Sequence, residues 1–176
     1  MPGNTQERRK GIMNEEGKIV PFLPKYLICI DGREAGALSG RVYGGAPGLD
    51  GLEFSDLPQM VVEIDKVCDA IGHPMAWQES RLRRKVEKIK GQELKEVLCR
   101  MRSLDEKGHR GNKATFILTI NFRQNASWQG VVQWVEKKET FRFRSALELM
   151  RYIDQVCEEG YEVSMKGDAQ ALNLAE

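Results

Sequence analysis

Two aspartates occupy matching contexts in this chain, Asp65 in IDKVC and Asp154 in IDQVC. Two carboxylates brought face to face can share acid and base roles, whereas each alone serves to pair with an arginine on a helix surface. Cys68 stands just before His73 in the chain, and a nucleophilic thiol needs such a base together with an acid. Cys68, however, falls on an apolar helical stripe, the usual place of an inert packing thiol. The remaining soft donors are Cys29, Cys99, His109 and Cys157, and none forms the C-x₂₋₄-C or H-x₃₋₅-H spacing of a zinc site. GGAPGLDG (44–51) is rich in glycine but lacks the GK[ST] ending of a phosphate loop and the GxGxxG of a dinucleotide turn. No catalytic residue, metal ligand or cofactor is assigned on these grounds, and an enzyme of unknown type ranks third among the functional readings.

What must position these residues is an internal repeat, which is sought first because its period dictates the fold. Residues 26–43 match 116–133 at an offset of 90, setting Ile30 on Ile120, Arg33 on Arg123 and Gly40 on Gly130. Residues 54–68 match 143–157 at an offset of 89, setting Phe54 on Phe143 and Asp65 on Asp154. Each copy begins with an alternating strand, as in Phe116, Leu118, Ile120 and Phe122. A polar connection and a return strand make a hairpin, Gly40–Tyr43 closing it in the first copy and Gly130–Val135 in the second. A third strand ends at Phe54 or Phe143, with Phe141 and Phe143 facing in and Arg142 and Arg144 out. A helix follows, opened by Asp56 and Pro58 or by the capping pair Ser145 and Glu148. Its stripe is Leu57, Met60, Val61, Ile64, Val67, Cys68 and Ile71 in one copy, and Leu147, Met150, Ile153, Val156 and Cys157 in the other.

The predicted fold is therefore α+β: two tandem βββα repeats, antiparallel sheets each with one packed helix, in a pseudo-twofold arrangement. The predicted segments are a disordered N-terminus (1–18), a first repeat (19–72), a basic, partly helical linker (73–113), a second repeat (114–166) and a flexible tail (167–176). One repeat of about 45 residues buries too small a fraction of its surface to stand alone, so both are needed, either sharing a core or pairing sheet edge to sheet edge around a pseudo-twofold axis. In the linker, Leu82, Val86, Ile89, Leu94, Val97, Leu98 and Met101 suggest a helix bent near Gly91, and KGHRGNK (107–113) reads as a mobile loop.

The second copy, FRQNASWQGVVQWVEKKETFRFRSALELMRYID, is similar to a family of short uncharacterised Firmicutes proteins built around an FRQN-x-SWQG hairpin and an FRS-led helix. The first copy resembles a companion pattern, an SGRVY hairpin followed by an FSDLPQM-led helix and D-x-IGHPMAW, with Ala37, Leu38 and Ser39 where the other has Ser127, Trp128 and Gln129. The resemblance implies an α+β fold and no activity, and no functional residue is carried over from it. Asn125, Ser127 and Gly130 also echo part of the cyclic-dinucleotide motif of PilZ domains, but the R-x-x-x-R element of that motif is missing.

Composition narrows the partners. The chain has 176 residues, 41% hydrophobic and 30% charged, which is the composition of a folded globular protein. Its net charge of +1 excludes polyanion binding over the whole surface. No apolar run reaches the length of a membrane span, and the N-terminus lacks a signal-peptide core, so a cytoplasmic protein with free thiols is expected. Between Arg81 and Arg110 there are 11 Lys/Arg against 5 Asp/Glu. Arg81, Arg83, Arg84, Lys85 and Lys88, with Lys90 and Lys95, form a cluster able to neutralise phosphates, and Arg142 and Arg144 supply a second patch with Arg123. Trp128, flanked by Arg123, Gln124, Asn125 and Gln129 at a hairpin end, is of the type that anchors interfaces when exposed. A binding or adaptor module using this 123–130 connection, with a protein partner or a second copy, is the leading expectation. Nucleic-acid binding through 81–95 is the alternative.

Overall fold

The computed structural model describes residues 11–13, 19–21, 23–44, 49–74, 76, 87–102 and 108–158. The chain is α+β. Strands β1 (Gly11–Met13) and β2 (Ile19–Pro21) form a short antiparallel ribbon, part of it inside the N-terminal stretch expected to be disordered. The main body comprises β3 (Lys25–Glu34), β4 (Ala37–Tyr43), β5 (Asp50–Phe54), α1 (Leu57–Ile71), α2 (Gly91–Arg102), β6 (Ala114–Phe122), β7 (Gln129–Trp134), β8 (Glu139–Phe143) and α3 (146–158).

The expectation of one sheet in each repeat is corrected: of the two packings the sequence leaves open, edge-to-edge pairing is the one observed. All six long strands form a single antiparallel sheet in the order β5-β4-β3-β6-β7-β8. The physical reason lies in β3 and β6, whose free edges would otherwise leave rows of backbone N–H and C=O groups unpaired. They pair with each other instead, Tyr26 opposite Leu118, Leu27 opposite Ile117 and Ile28 opposite Phe116. Leu27 and Ile117 are themselves 90 positions apart, and a shift of 90 maps Lys25↔Thr119 onto the observed pair Cys29↔Thr115. The two flanking hairpins share the same details. Both ladders are bulged, between Ile30 and Gly32 and between Ile120 and Phe122, and both bring a glycine opposite a phenylalanine, Gly40↔Phe54 and Gly130↔Phe143. A Cβ on Gly40 would meet the Cys29 carbonyl oxygen at 2.0 Å, and one on Gly130 would meet that of Thr119 at 2.1 Å. Only glycine permits these strands to approach so closely.

The helices start as their sequences require. Asp56 Oδ1 accepts from Gln59 N at 2.6 Å while Gln59 Oε1 accepts from Ser55 N at 2.9 Å. Ser145 Oγ accepts from Glu148 N at 3.1 Å while Glu148 Oε2 accepts from Arg144 N at 2.7 Å. In each, the cap oxygen satisfies an amide that the first turn leaves without a partner. The side chain three residues on reaches back past the cap to the amide before it, a close variant of the capping box. Gly72 closes α1 in the left-handed conformation, at φ 67°, as is usual for a glycine that ends a helix.

Tyr26, Ile28, Ile30, Phe116, Leu118 and Ile120 are wholly buried, with Met60 and Ile64 of α1 and Leu149 and Ile153 of α3 in the same core. Leu147, expected on the inner stripe of α3, is instead 56% exposed, because the buried face is carried by Leu149, Ile153, Val156 and Cys157. Helix α2 begins at Gly91, where the sequence places a bend, and packs against β3, burying Val97, Leu98 and Met101. Leu82 and Val86 lie outside the described residues, as do the tail 167–176 and most of 1–18. The loop at 107–113 is not loose over its described part: His109 stacks on Tyr43 with ring centroids 4.0 Å apart, and Lys113 N donates to Ile30 O.

Candidate functional site

The matching aspartates and arginines meet, but across the molecule rather than within one half. Arg33, at the end of β3, donates to Asp154 Oδ1 of α3 at 2.7 Å and stands 3.6 Å from Glu158 Oε1. Arg123, just beyond β6, lies 2.8 Å from Asp65 Oδ1 and 2.7 Å from Asp69 Oδ1 of α1. Asp65 and Asp69 are one helical turn apart, as are Asp154 and Glu158, so each guanidinium grips two carboxylates on one helix face. Each hairpin is thus locked to the helix of the opposite half.

The two clamps differ in depth. Arg33 is a quarter exposed, whereas Arg123 is 9% exposed and also donates to Pro74 O. Burial works against the Arg123 charge, and the hydrogen bond to Asp69, with Asp65 adding to it, more than restores it, so its pKa stands above the ordinary guanidinium value. Trp128 completes this clamp by donating Nε1–H to Asp65 Oδ1 at 2.8 Å. Its counterpart in the first hairpin is Leu38, which is buried and has no polar side-chain atom to offer.

These contacts correct the expectation of an exposed Trp128. The indole is 3% exposed because its N–H finds a carboxylate on α1 and its rings join the buried core. Gln129 is committed as well, its Nε2 donating to Gln124 O at 3.0 Å and to Arg144 O at 3.3 Å. Of the residues expected to contact a partner, Gln124 and Asn125 remain in solvent, at a turn closed by Ser127 N donating to Gln124 O. Asn125 and Ala126 both have φ 53°. Beside them Phe122 is 57% exposed, and no expectation from sequence anticipated it. Its alternation with Ile120 argues for burial. The ladder bulge after Ile120 breaks that alternation, and a bulge leaves little trace in a single sequence.

The same geometry separates the two candidate catalytic aspartates, each engaged by a different arginine. Cys68 is not an activated nucleophile: its Sγ lies 3.1 Å from Tyr26 Oη. Burial pushes the thiol up to about 12 and the Tyr26 phenol well above its ordinary value. Cys29 and Cys157 are both raised to about 11, chiefly by burial. Among the described residues, no group of three His, Cys, Asp or Glu side chains is placed to hold a metal ion, and no helix is long and apolar enough to cross a membrane.

A shallow groove of about 390 Å³ lies beside β4, lined by Asp31, Ser39, Arg41, Glu53 and Asn112 with Gly40 and Phe54. Its central charges satisfy each other. Arg41 donates twice to Asp31, at 2.7 and 3.0 Å, and Asn112 N donates to Asp31 Oδ1. The hydrogen bond from Arg41 holds the Asp31 carboxyl below its ordinary pKa.

Of the basic residues, Arg81, Arg83, Arg84 and Lys85 lie outside the described residues, and Lys88 is exposed. Arg142 is exposed on β8, and the Arg144 side chain is 91% exposed, 3.8 Å from Glu148. Arg123, buried in its clamp, is not available to their patch. No family model, curated protein or solved structure matches this chain at a significant level.

Proposed function

We propose that this chain is a non-enzymatic binding module, built from a duplicated βββα unit, that holds a protein partner at the outer end of the β6–β7 hairpin. The observation that carries the reading is Phe122, a large apolar side chain 57% exposed next to the exposed Gln124 and Asn125. Their base is rigid, since Arg123 and Trp128 are anchored to α1 directly beneath them. An aromatic anchor among adaptable polar groups on a fixed support suits a recognition surface. Within this reading Phe122, Gln124 and Asn125 make the contact, while Arg123, Trp128 and Gln129 position them. Common ancestry of the two halves is supported by the paired bulges, the paired helix caps and the β3–β6 register that a shift of 90 leaves unchanged. Four free cysteines, three of them buried with raised pKa values, suit a reducing compartment such as the cytoplasm.

The test is capture from a cell extract on the immobilised full chain. A protein held by the wild type and by Leu147→Ser, but lost with Phe122→Ser, supports the reading. Equal retention by Phe122→Ser overturns it.

A second reading, nucleic-acid binding, is favoured by the exposure of Arg142 and Arg144 near the sheet edge and of Lys88 before α2. Phosphate contacts give affinity that falls steeply with salt. Fluorescence anisotropy with DNA and RNA from about 50 to 300 mM salt checks it, and absence of binding at the lowest salt removes it.

A further inference from the structure

The six-stranded sheet ends on β5 at one side and on β8 at the other, and among the described residues neither outer edge has a strand partner. Such an edge is a row of backbone N–H and C=O groups able to take a further strand. β5 and β8 are the third strands of the two halves, yet their charges are opposite. β5 and the cap of α1 carry Asp50, Glu53 and Asp56, where the second half has Glu139, Arg142 and Ser145, and β8 is flanked by Lys137, Lys138 and Arg144. Glu53 and Arg142 occupy matching positions, both are exposed, and neither is in an ion pair among the described residues. They also lie on one face of the sheet. Glu53 stands opposite Arg41 and Arg41 opposite Cys29, while Arg142 stands opposite Val131 and Val131 opposite Thr119. Cys29 faces Thr115, four residues from Thr119 and on the same side of β6.

We propose that this chain associates head to tail with a second copy, β8 of one molecule adding to β5 of the next. The first and last strands of a six-stranded antiparallel sheet point in opposite directions, so a copy set alongside in the same orientation continues the antiparallel pattern. The register that sets Glu53 opposite Arg142 also sets Leu52 opposite Phe143 and Phe54 opposite Phe141 on the core face. Leu52 and Phe141, the latter stacked on Tyr152 at 4.4 Å, are only partly buried at these edges, and the junction covers them. It repeats at the outer edge the pairing of matching strands that β3 and β6 make at the centre. The groove beside β4 receives the arginine. Its lining sets one arginine against two carboxylates, and Arg41 is held by Asp31, which leaves Glu53 to an incoming Arg142. Charge also selects against the twofold alternatives, because β5 against β5 brings acid beside acid and β8 against β8 brings arginine beside arginine. Head-to-tail contacts of this kind do not close, so the assembly lengthens as concentration rises. With five residues in each strand, the junction is small and its dissociation constant is on the order of 0.1–1 mM.

Charge reversal of the full-length chain tests this, read by sedimentation velocity from about 0.01 to 1 mM protein in about 50 mM salt. Glu53→Arg has arginine at both edges and Arg142→Glu has glutamate at both. Each variant alone is expected to associate roughly tenfold more weakly than the wild type. Mixed in equal amounts, the two variants set arginine against glutamate at every alternating junction, and the mixture is expected to associate as the wild type does. The double variant Glu53→Arg with Arg142→Glu exchanges the two charges within one chain and is expected to do the same. Phe122→Ser leaves both edges intact and is expected to associate normally, which separates this contact from partner capture at the hairpin end. Wild type that stays monomeric at about 1 mM overturns the proposal. So do single variants that associate as well as the wild type, or a mixture and a double variant that associate no better than the single variants.

Discussion

Single side chains in this protein are assigned by what they touch. Trp128 is the clearest case: removing its ring would leave a large void beside Arg123, and Trp128→Ala is expected to cost about 3–5 kcal/mol in urea unfolding rather than to act only on binding. Trp128→Phe keeps most of the volume and loses the hydrogen bond to Asp65, for an expected cost of about 1–2 kcal/mol. The thiols are equally specific. Cys29, Cys68 and Cys157 are buried with pKa values pushed up to about 11 or 12, while Cys99 is exposed. Ellman's reagent at about pH 8, just below the ordinary thiol pKa, should therefore titrate one thiol quickly in the native protein and all four after unfolding. Asp31 sets an acid limit. Its folded pKa is depressed by the hydrogen bond from Arg41. Its contribution is therefore complete above the ordinary aspartate value of about 4 and is lost as the pH falls through the lower folded value. Urea midpoints followed from neutral pH down through that window should fall less steeply in Asp31→Asn than in the wild type.

Among the elements, the hairpins carry the strongest local constraints. Gly130 sits where any side chain would strike the Thr119 carbonyl and the Phe143 ring. Gly130→Ala is expected to destabilise by about 2 kcal/mol, the usual scale for forcing extra volume into a packed site. Ala126 has φ 53°, a conformation that suits glycine. Ala126→Gly should raise stability by about 0.5 kcal/mol, relief of the left-handed strain slightly exceeding the entropy that glycine loses on folding. The change is read as a higher urea midpoint at unchanged slope. Much at this scale is legible in the sequence. The alternation of Phe116, Leu118 and Ile120 marks β6, the Ser145–Glu148 pair marks the start of α3, and the apolar spacing from Leu57 to Ile71 marks α1. Leu147, two residues after the cap Ser145, misleads because it matches a three-and-four pattern while the helix buries Leu149 and Ile153 instead. Phe122 escapes notice because the bulge shifts its face, and a bulge is a property of two strands rather than of one.

The whole molecule is the least legible. Matching Arg33 with Arg123 and Asp65 with Asp154 shows that these residues come in pairs, but no spacing in the chain states whether an arginine meets the aspartate of its own half or of the other. That choice follows from the joining of β3 to β6, strands that lie far apart in the chain. For the same reason the exposure of Trp128 is misjudged from sequence, since the carboxylate that receives its N–H is 63 positions away. The crossed clamps also bear on how this protein comes into being. Arg33 meets its aspartate 121 positions later. While the chain is being synthesised, β3 can pair with β4 as soon as both have emerged, but its other edge waits for β6 and Arg33 waits for α3, the last described helix. Contacts so distant in sequence make folding slow. The first half must pass through synthesis with one edge of β3 open until β6 arrives. A chain halted before β6 is therefore a natural substrate for chaperones and proteases, and the arrival of α3 closes the Arg33 clamp.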